Sequence, residues 1–151
     1  MSRRLKTAVI GLGAAGRYHC EAIAESVPEM QLAAVVESAA DVAERTAKQY
    51  GVPAFPTHRE LIRAGVCEAV TIATPHNSHA DIAVGCLRAG LHVITEKPMA
   101  ESVGQADRMV RAAREGGAAF GCVFQMRFDA TVEKAAAIIR SGRLGRLFRA
   151  T

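Results

Sequence analysis

The sequence predicts an α/β fold, a doubly wound parallel sheet flanked by helices, from three observations. Short apolar runs alternate with helical patterns along almost the whole chain, and parallel strands need a helix-length crossover between them. The runs are near-continuously apolar, as in Ala69-Val70-Thr71-Ile72-Ala73, which fits strands covered on both faces. The first strand also passes into the first helix through Gly11, Gly13 and Gly16, with only a few residues between them.

The elements follow in order. The first strand ends at Ile10, and a helix runs from Ala14 to about Ser26, stopped by Val27-Pro28. Gln31-Leu32-Ala33-Ala34-Val35-Val36 is the second strand, closed by Glu37. Asp41 to Tyr50 is helical, and Gly51 supplies its stop. Val52 to Phe55 reads as a short third strand among prolines, and His58 to Ala64 as a short helix. Ala69 to Ala73 is the fourth strand. Thr74-Pro75-His76-Asn77 is a loop, Asn77 or Ser78 is the expected cap, and a helix runs from Ser78 to Ala89 with Gly90 behind it. The fifth strand is Leu91-His92-Val93-Ile94. Ser102 and Gln105 form a capping box for a helix to about Glu115, stopped by Gly116-Gly117. Ala118 to Phe124 is the sixth strand, with Gln125 and Arg127 at its end, and Ala130 to Ser141 is the last helix. Leu147 to Thr151 reads as a strand just beginning, an unpaired edge that invites association into a homo-oligomer.

Each glycine of the first turn has a mechanical use. Gly11 permits the tight exit from the strand, Gly13 leaves room for a pyrophosphate against the backbone, and Gly16 allows close helix–strand packing. The main chain of Gly11, Leu12, Gly13, Ala14, Ala15 and Gly16 then offers N–H groups at the positive end of a helix. A purely structural turn is the competing reading of such a loop. Its place between strand and helix, and an acidic residue closing the next strand, favour dinucleotide binding. Glu37 accepts from ribose hydroxyls and repels a 2′-phosphate, and Ser38-Ala39-Ala40 bring no arginine for that phosphate, so NAD is expected over NADP.

Bulk properties exclude several classes. At 151 residues, half of them apolar, with a formal charge of +4, the chain fits one globular domain. Arg140, Arg143, Arg146 and Arg149 lie along one side of its end without aromatic interleaving, so nucleic acid is not an expected partner. Cys20, Cys67, Cys86 and Cys122 are widely spaced, which reads as reduced thiols rather than disulfides or a metal site. Ser2-Arg3-Arg4-Leu5-Lys6 looks superficially like a twin-arginine export signal. The glycine-broken stretch behind it is already needed as strand and phosphate loop, so a cytoplasmic location and no membrane association are expected.

Taken together, the motifs resemble those of the glucose-fructose oxidoreductase / inositol dehydrogenase / MocA-type (Gfo/Idh/MocA) family. The matching stretches are Gly11 to His19, Ile72-Ala73-Thr74-Pro75-His76-Asn77-Ser78-His79-Ala80, His92-Val93-Ile94-Thr95-Glu96-Lys97-Pro98-Met99-Ala100, Phe124-Gln125-Met126-Arg127-Phe128, and Ser141-Gly142-Arg143-Leu144-Gly145. The resemblance implies a Rossmann domain over residues 1–122, with 123–151 a connecting helix and the start of a second, α+β domain. That second half, with its large antiparallel sheet, normally builds the substrate pocket, and on this reading it is missing here.

The resemblance also implies roles for side chains. Lys97 would be the catalytic residue, beside the nicotinamide and the reacting carbinol, able to polarise the substrate oxygen or relay its proton. Glu96 would hold the nicotinamide ribose, against the alternative of a surface ion-pair partner. Thr74 and Pro75 would line that ribose. His79 stands at the helix start, in a loop-orienting or cofactor-contacting role. His19 is expected to pack or hydrogen-bond under the phosphate loop, next to Tyr18. Gln125 and Arg127 would approach the mouth of the site or serve as hinge contacts. Pro98 stiffens the turn, and its peptide bond is open to either isomer. The expected function is the NAD-binding part of an oxidoreductase acting on a sugar, cyclitol or related carbinol, with little turnover from this chain alone. The alternative is a non-catalytic dinucleotide-binding module.

Overall fold

The computed structural model describes residues 3–149. Six parallel strands lie in the order β3-β2-β1-β4-β5-β6. They are β1 (Leu5–Ile10), β2 (Met30–Val36), β3 (Ala54–Phe55), β4 (Ala69–Ile72), β5 (His92–Thr95) and β6 (Phe120–Cys122). The helices are α1 (Ala14–Glu21), α2 (Ala40–Tyr50), α3 (His58–Ala64), α4 (His79–Arg88), α5 (Val103–Gly116) and α6 (Ala130–Arg140). The order reverses between β1 and β4. A crevice therefore opens at their carboxyl ends, where ligands bind in sheets of this kind.

The period-2 geometry of a strand explains the near-continuous apolar runs. Ala8 and Ile10 of β1 face Leu61 of α3, Val84 and Leu87 of α4 and Met109 of α5 in one core. Val9, one residue between them, turns the other way to Cys20 of α1 and Ile23, backed by Val42 and Ala47 of α2. Burial in these cores pushes the thiols of Cys20 and Cys67 up to about 11 and that of Cys86 up to about 12. They stay protonated at neutral pH and act as small apolar side chains.

Local signals set the helix ends. Thr57 accepts from the Glu60 amide at 3.3 Å, and Ser102 from the Gln105 amide at 3.3 Å. The Gln105 side chain accepts in turn from the Glu101 amide at 2.9 Å, one residue before the cap itself. Gly51, Gly65 and Gly117 stop α2, α3 and α5 in the left-handed region. Gly116 has a different reason. A Cβ there would stand 2.1 Å from the Leu87 carbonyl oxygen, so α5 crosses α4 only because that side chain is absent.

Some expectations change. After Glu21 the first helix widens into a π turn over Ala22–Ser26. β3 is two residues long, because Val52 and Pro53 only lead into it. β6 stops at Cys122, so Gln125 and Arg127 do not end a strand; they sit in a 3₁₀ turn over Gln125–Phe128. Asp129 then caps α6 by accepting from the amides of Thr131 and Val132 at 2.9 and 3.1 Å. No residue of α6 is buried. Leu147, Phe148 and Arg149 form no strand; Ala150 and Thr151 of that expected stub, like Ser2 at the other end, lie outside the described residues. No described helix is long and apolar enough to cross a membrane.

Candidate dinucleotide-binding cleft

A cleft of about 800 Å³ opens at the carboxyl ends of β1, β2 and β4. Its floor is the main chain from Gly11 to Ala15, and Glu37, Thr74 and Pro75 stand around it. The three glycines now separate by function. Gly11 has φ +88°, and a Cβ there would lie 2.7 Å from the Ala73 carbonyl oxygen. At Gly16 a Cβ would meet the Gly11 carbonyl oxygen at 1.8 Å, so Gly16 supports the loop from beneath. At Gly13 nothing lies within 4 Å of that position. The space over Gly13 is open, and no side chain caps α1, so its first-turn amides remain available to an anion.

Glu37 is anchored and still has capacity. Its Oε1 accepts from the Ser38 amide at 2.7 Å, the Ser38 hydroxyl at 3.1 Å and the Ala39 amide at 3.1 Å. Its Oε2 accepts only from the Leu12 amide, at 3.0 Å. Oε2 therefore keeps an acceptor site, next to the cleft, for a hydroxyl. Partial burial opposes the charged carboxylate, but the hydrogen bonds from Leu12, Ala39 and Ser38 outweigh it and lower the pKa. A carboxylate depressed on folding adds stability above its ordinary titration range. That stability is lost as pH falls through the depressed value. Glu37→Gln is accordingly expected to flatten the acid limb of a stability–pH curve measured by urea unfolding. An unchanged limb would contradict this assignment. The residues lining the cleft include no lysine or arginine.

The residues after β4 and β5 are joined through His79. Its ring is fully buried, with Nδ1 2.9 Å from the Pro98 carbonyl oxygen and Nε2 2.9 Å from the Thr74 carbonyl oxygen. Its nitrogens thus face main chain. This corrects the expectation of cofactor contact by His79 and leaves it tying two loops together. The Lys97-Pro98 bond, within the loop after β5, is cis. Lys97 and Gln125 do not line the main cleft. They border a second hollow of about 400 Å³ with Phe124, Met126 and Arg127. Ser78 does not cap α4 either: its hydroxyl donates back to Thr74 Oγ1 at 2.8 Å or to the Pro75 carbonyl oxygen at 2.7 Å. Asn77 lines the cleft. The hydrogen-bond partner of His19 is Glu96, with Nε2 2.8 Å from Oε1.

Several cleft residues escape the sequence reading: Pro56, Thr57, His58 and Ile82 form the wall beyond Glu37. The signal that finds Pro56, Thr57 and His58 is topological, since residues after a third parallel strand belong to the same sheet edge, whereas Ile82 comes from α4. Burial, reinforced by neighbouring Arg59 and opposed by Asp81, lowers the pKa of His58.

A family model described as an oxidoreductase family with an NAD-binding Rossmann fold (Gfo/Idh/MocA) matches residues 5–124. An inositol 2-dehydrogenase of Rubrobacter xylanophilus is 34% identical over 145 residues, covering 95% of this chain and 42% of that protein. The WlbA dehydrogenase of Bordetella pertussis, solved with NADH and UDP-GlcNAcA, superposes with a TM-score of 0.93 at 28% identity over 97% of this chain and 42% of its own. Scyllo-inositol dehydrogenase of Lactobacillus casei, solved with NAD(H) and scyllo-inositol, gives 0.88 at 25% identity over 95% of this chain and 43% of its own. The chain thus spans less than half the length of these relatives.

Proposed function

This chain belongs to the Gfo/Idh/MocA oxidoreductase family, and on that premise we propose that it is the NAD-binding part of an enzyme that moves hydride between a nicotinamide and a carbinol of a cyclitol, sugar or related compound. The observation that carries the reading is the open main-chain floor over Gly13 beside the unsaturated Oε2 of Glu37. Diphosphate settles on the amides of Gly13 to Ala15, with Gly16 holding the helix close beneath, while the Leu12 amide stays on Glu37. Glu37 takes the adenosine ribose. Thr74, Pro75 and Glu96 take the nicotinamide ribose, and Lys97 and Gln125 border the hollow for substrate.

When bound, NAD supplies a hydride acceptor at C4 of its nicotinamide. The chain's own contribution is positional and electrostatic. Lys97 holds or relays the proton of the substrate oxygen as the carbinol carbon gives up its hydride. His79 fixes Thr74 relative to Pro98 and so sets the distance between ribose wall and lysine loop. Residues 1–122 are the cofactor domain of this scheme and 123–151 its connection to the substrate-bearing part. The four unpaired thiols suit a reducing cytoplasm.

Glu37 sets the choice of cofactor. A 2′-phosphate would meet an ionised carboxylate with no cation in the cleft to offset it. Calorimetric titration is expected to show NAD binding well ahead of NADP. Glu37→Ser is expected to weaken NAD about ten- to a hundredfold while narrowing the gap to NADP, on the scale of a hydrogen bond to a charged group. NADP binding as tightly as NAD to the unaltered protein would overturn this role for Glu37.

A further inference from the structure

Glu96 is gripped from two sides. Its Oε1 faces Nε2 of His19 at 2.8 Å, and its Oε2 accepts from the Lys97 amide at 3.2 Å. Both side chains are largely enclosed, His19 at 18% exposure and Glu96 at 17%. The residues are 77 apart in sequence and belong to elements that are not neighbours in the sheet, because β4 lies between β1 and β5. An ionised carboxylate only accepts, so the proton of the contact sits on Nε2. The helix whose first turn faces the diphosphate thus also carries a donor that reaches across to the loop after β5.

We propose that His19 is a positioning residue for the nicotinamide half of the cofactor, acting through Glu96. A free glutamate samples several rotamers, and ordering it on binding costs affinity. With Nε2 holding one oxygen and the Lys97 amide the other, Glu96 is ordered before the cofactor arrives. Its remaining acceptor sites are fixed for the hydroxyls of the second ribose. His19 itself touches no part of the cofactor. This role rests on the reading of Glu96 as the ligand of that ribose.

Histidine isosteres separate the possibilities, because glutamine places its amide nitrogen near Nε2 and asparagine near Nδ1. Binding of NAD and of ADP, which has the adenosine and diphosphate without the nicotinamide riboside, is measured by calorimetry on the full chain. His19→Asn is expected to weaken NAD about tenfold and ADP less than about twofold, whereas His19→Gln holds NAD within about threefold of the unaltered protein. Adding His19→Asn to Glu96→Ala is expected to cost nothing further for NAD. Equal losses for NAD and ADP would show that His19 only shapes α1 and the phosphate loop, and would overturn the proposal. So would an unaltered NAD affinity in His19→Asn while Glu96→Ala loses NAD selectively. If Glu96→Ala leaves the NAD-to-ADP ratio unchanged, the ribose role of Glu96 itself falls, and the role of His19 with it.

Discussion

Gly16→Ala is expected to lower the melting temperature by about 6–12 °C and to abolish saturable NAD binding. The added Cβ would sit 1.8 Å from the Gly11 carbonyl oxygen, and the obstacle is main chain at the mouth of β1 rather than a side chain that could swing aside. Either α1 moves outward by more than an ångström or the loop does. Overpacking at a site that cannot relax costs about 3 kcal/mol, at the upper end of the usual range, and for a chain of this size each kcal/mol shifts the midpoint by about 2–4 °C. Either movement also disperses the amides that the diphosphate needs. Thermal unfolding followed by circular dichroism checks the first part and calorimetric titration the second. A midpoint within about 1 °C of the unaltered protein would show that the packing of α1 on the loop is looser than this distance implies.

Gly13→Val should lose NAD with little loss of stability. Nothing in the protein lies within 4 Å of the new Cβ, and the residue already has φ −65° and ψ −166°, which a β-branched side chain accepts. Loss of a favourable N-cap residue costs about 1 kcal/mol, so the melting temperature falls by no more than about 4 °C. NAD affinity, by contrast, is expected to fall by at least about a hundredfold, because the isopropyl group fills the space in which a diphosphate approaches bare amides. The pair of variants is informative because a side chain added at either of two glycines, three residues apart, costs binding at both but folding stability mainly at Gly16. Equal effects on both quantities in both variants would remove the distinction.

The sequence made most of this site legible because its chemistry is local. Gly11 to Gly16 announce their turn by spacing, and Glu37 announces its place at the cleft by closing the strand that follows. Ser102 was readable as a cap for the same reason, its partner Gln105 lying three residues on. Long-range partners were not readable. The contact of His19 with Glu96 depends on how α1 lies across the sheet, and a histidine in a helix carries no mark of its distant partner. His79 was placed at a helix start, but its complete burial between Thr74 and Pro98 follows from two loops converging. Ser78 looked like a cap because of its residue type; its hydroxyl instead donates back to Thr74 Oγ1 or the Pro75 carbonyl oxygen and accepts from no helix amide. Strand ends were blurred near Val52, which precedes the first ladder partner Ala54, and near Phe124, where apolar residues continue past the last one, Cys122.

The central claim is that uncovered amides between β1 and α1 receive a dinucleotide diphosphate while Glu37 holds its first ribose. Amide chemical shifts followed by NMR during titration of the unaltered chain with NAD test it most directly. The expected result is saturable movement concentrated at Gly13, Ala14 and Ala15, accompanied by Leu12, Ser38 and Ala39, whose amides share the Glu37 carboxylate. Saturation with those amides unmoved, or no saturation at millimolar NAD, would contradict the account.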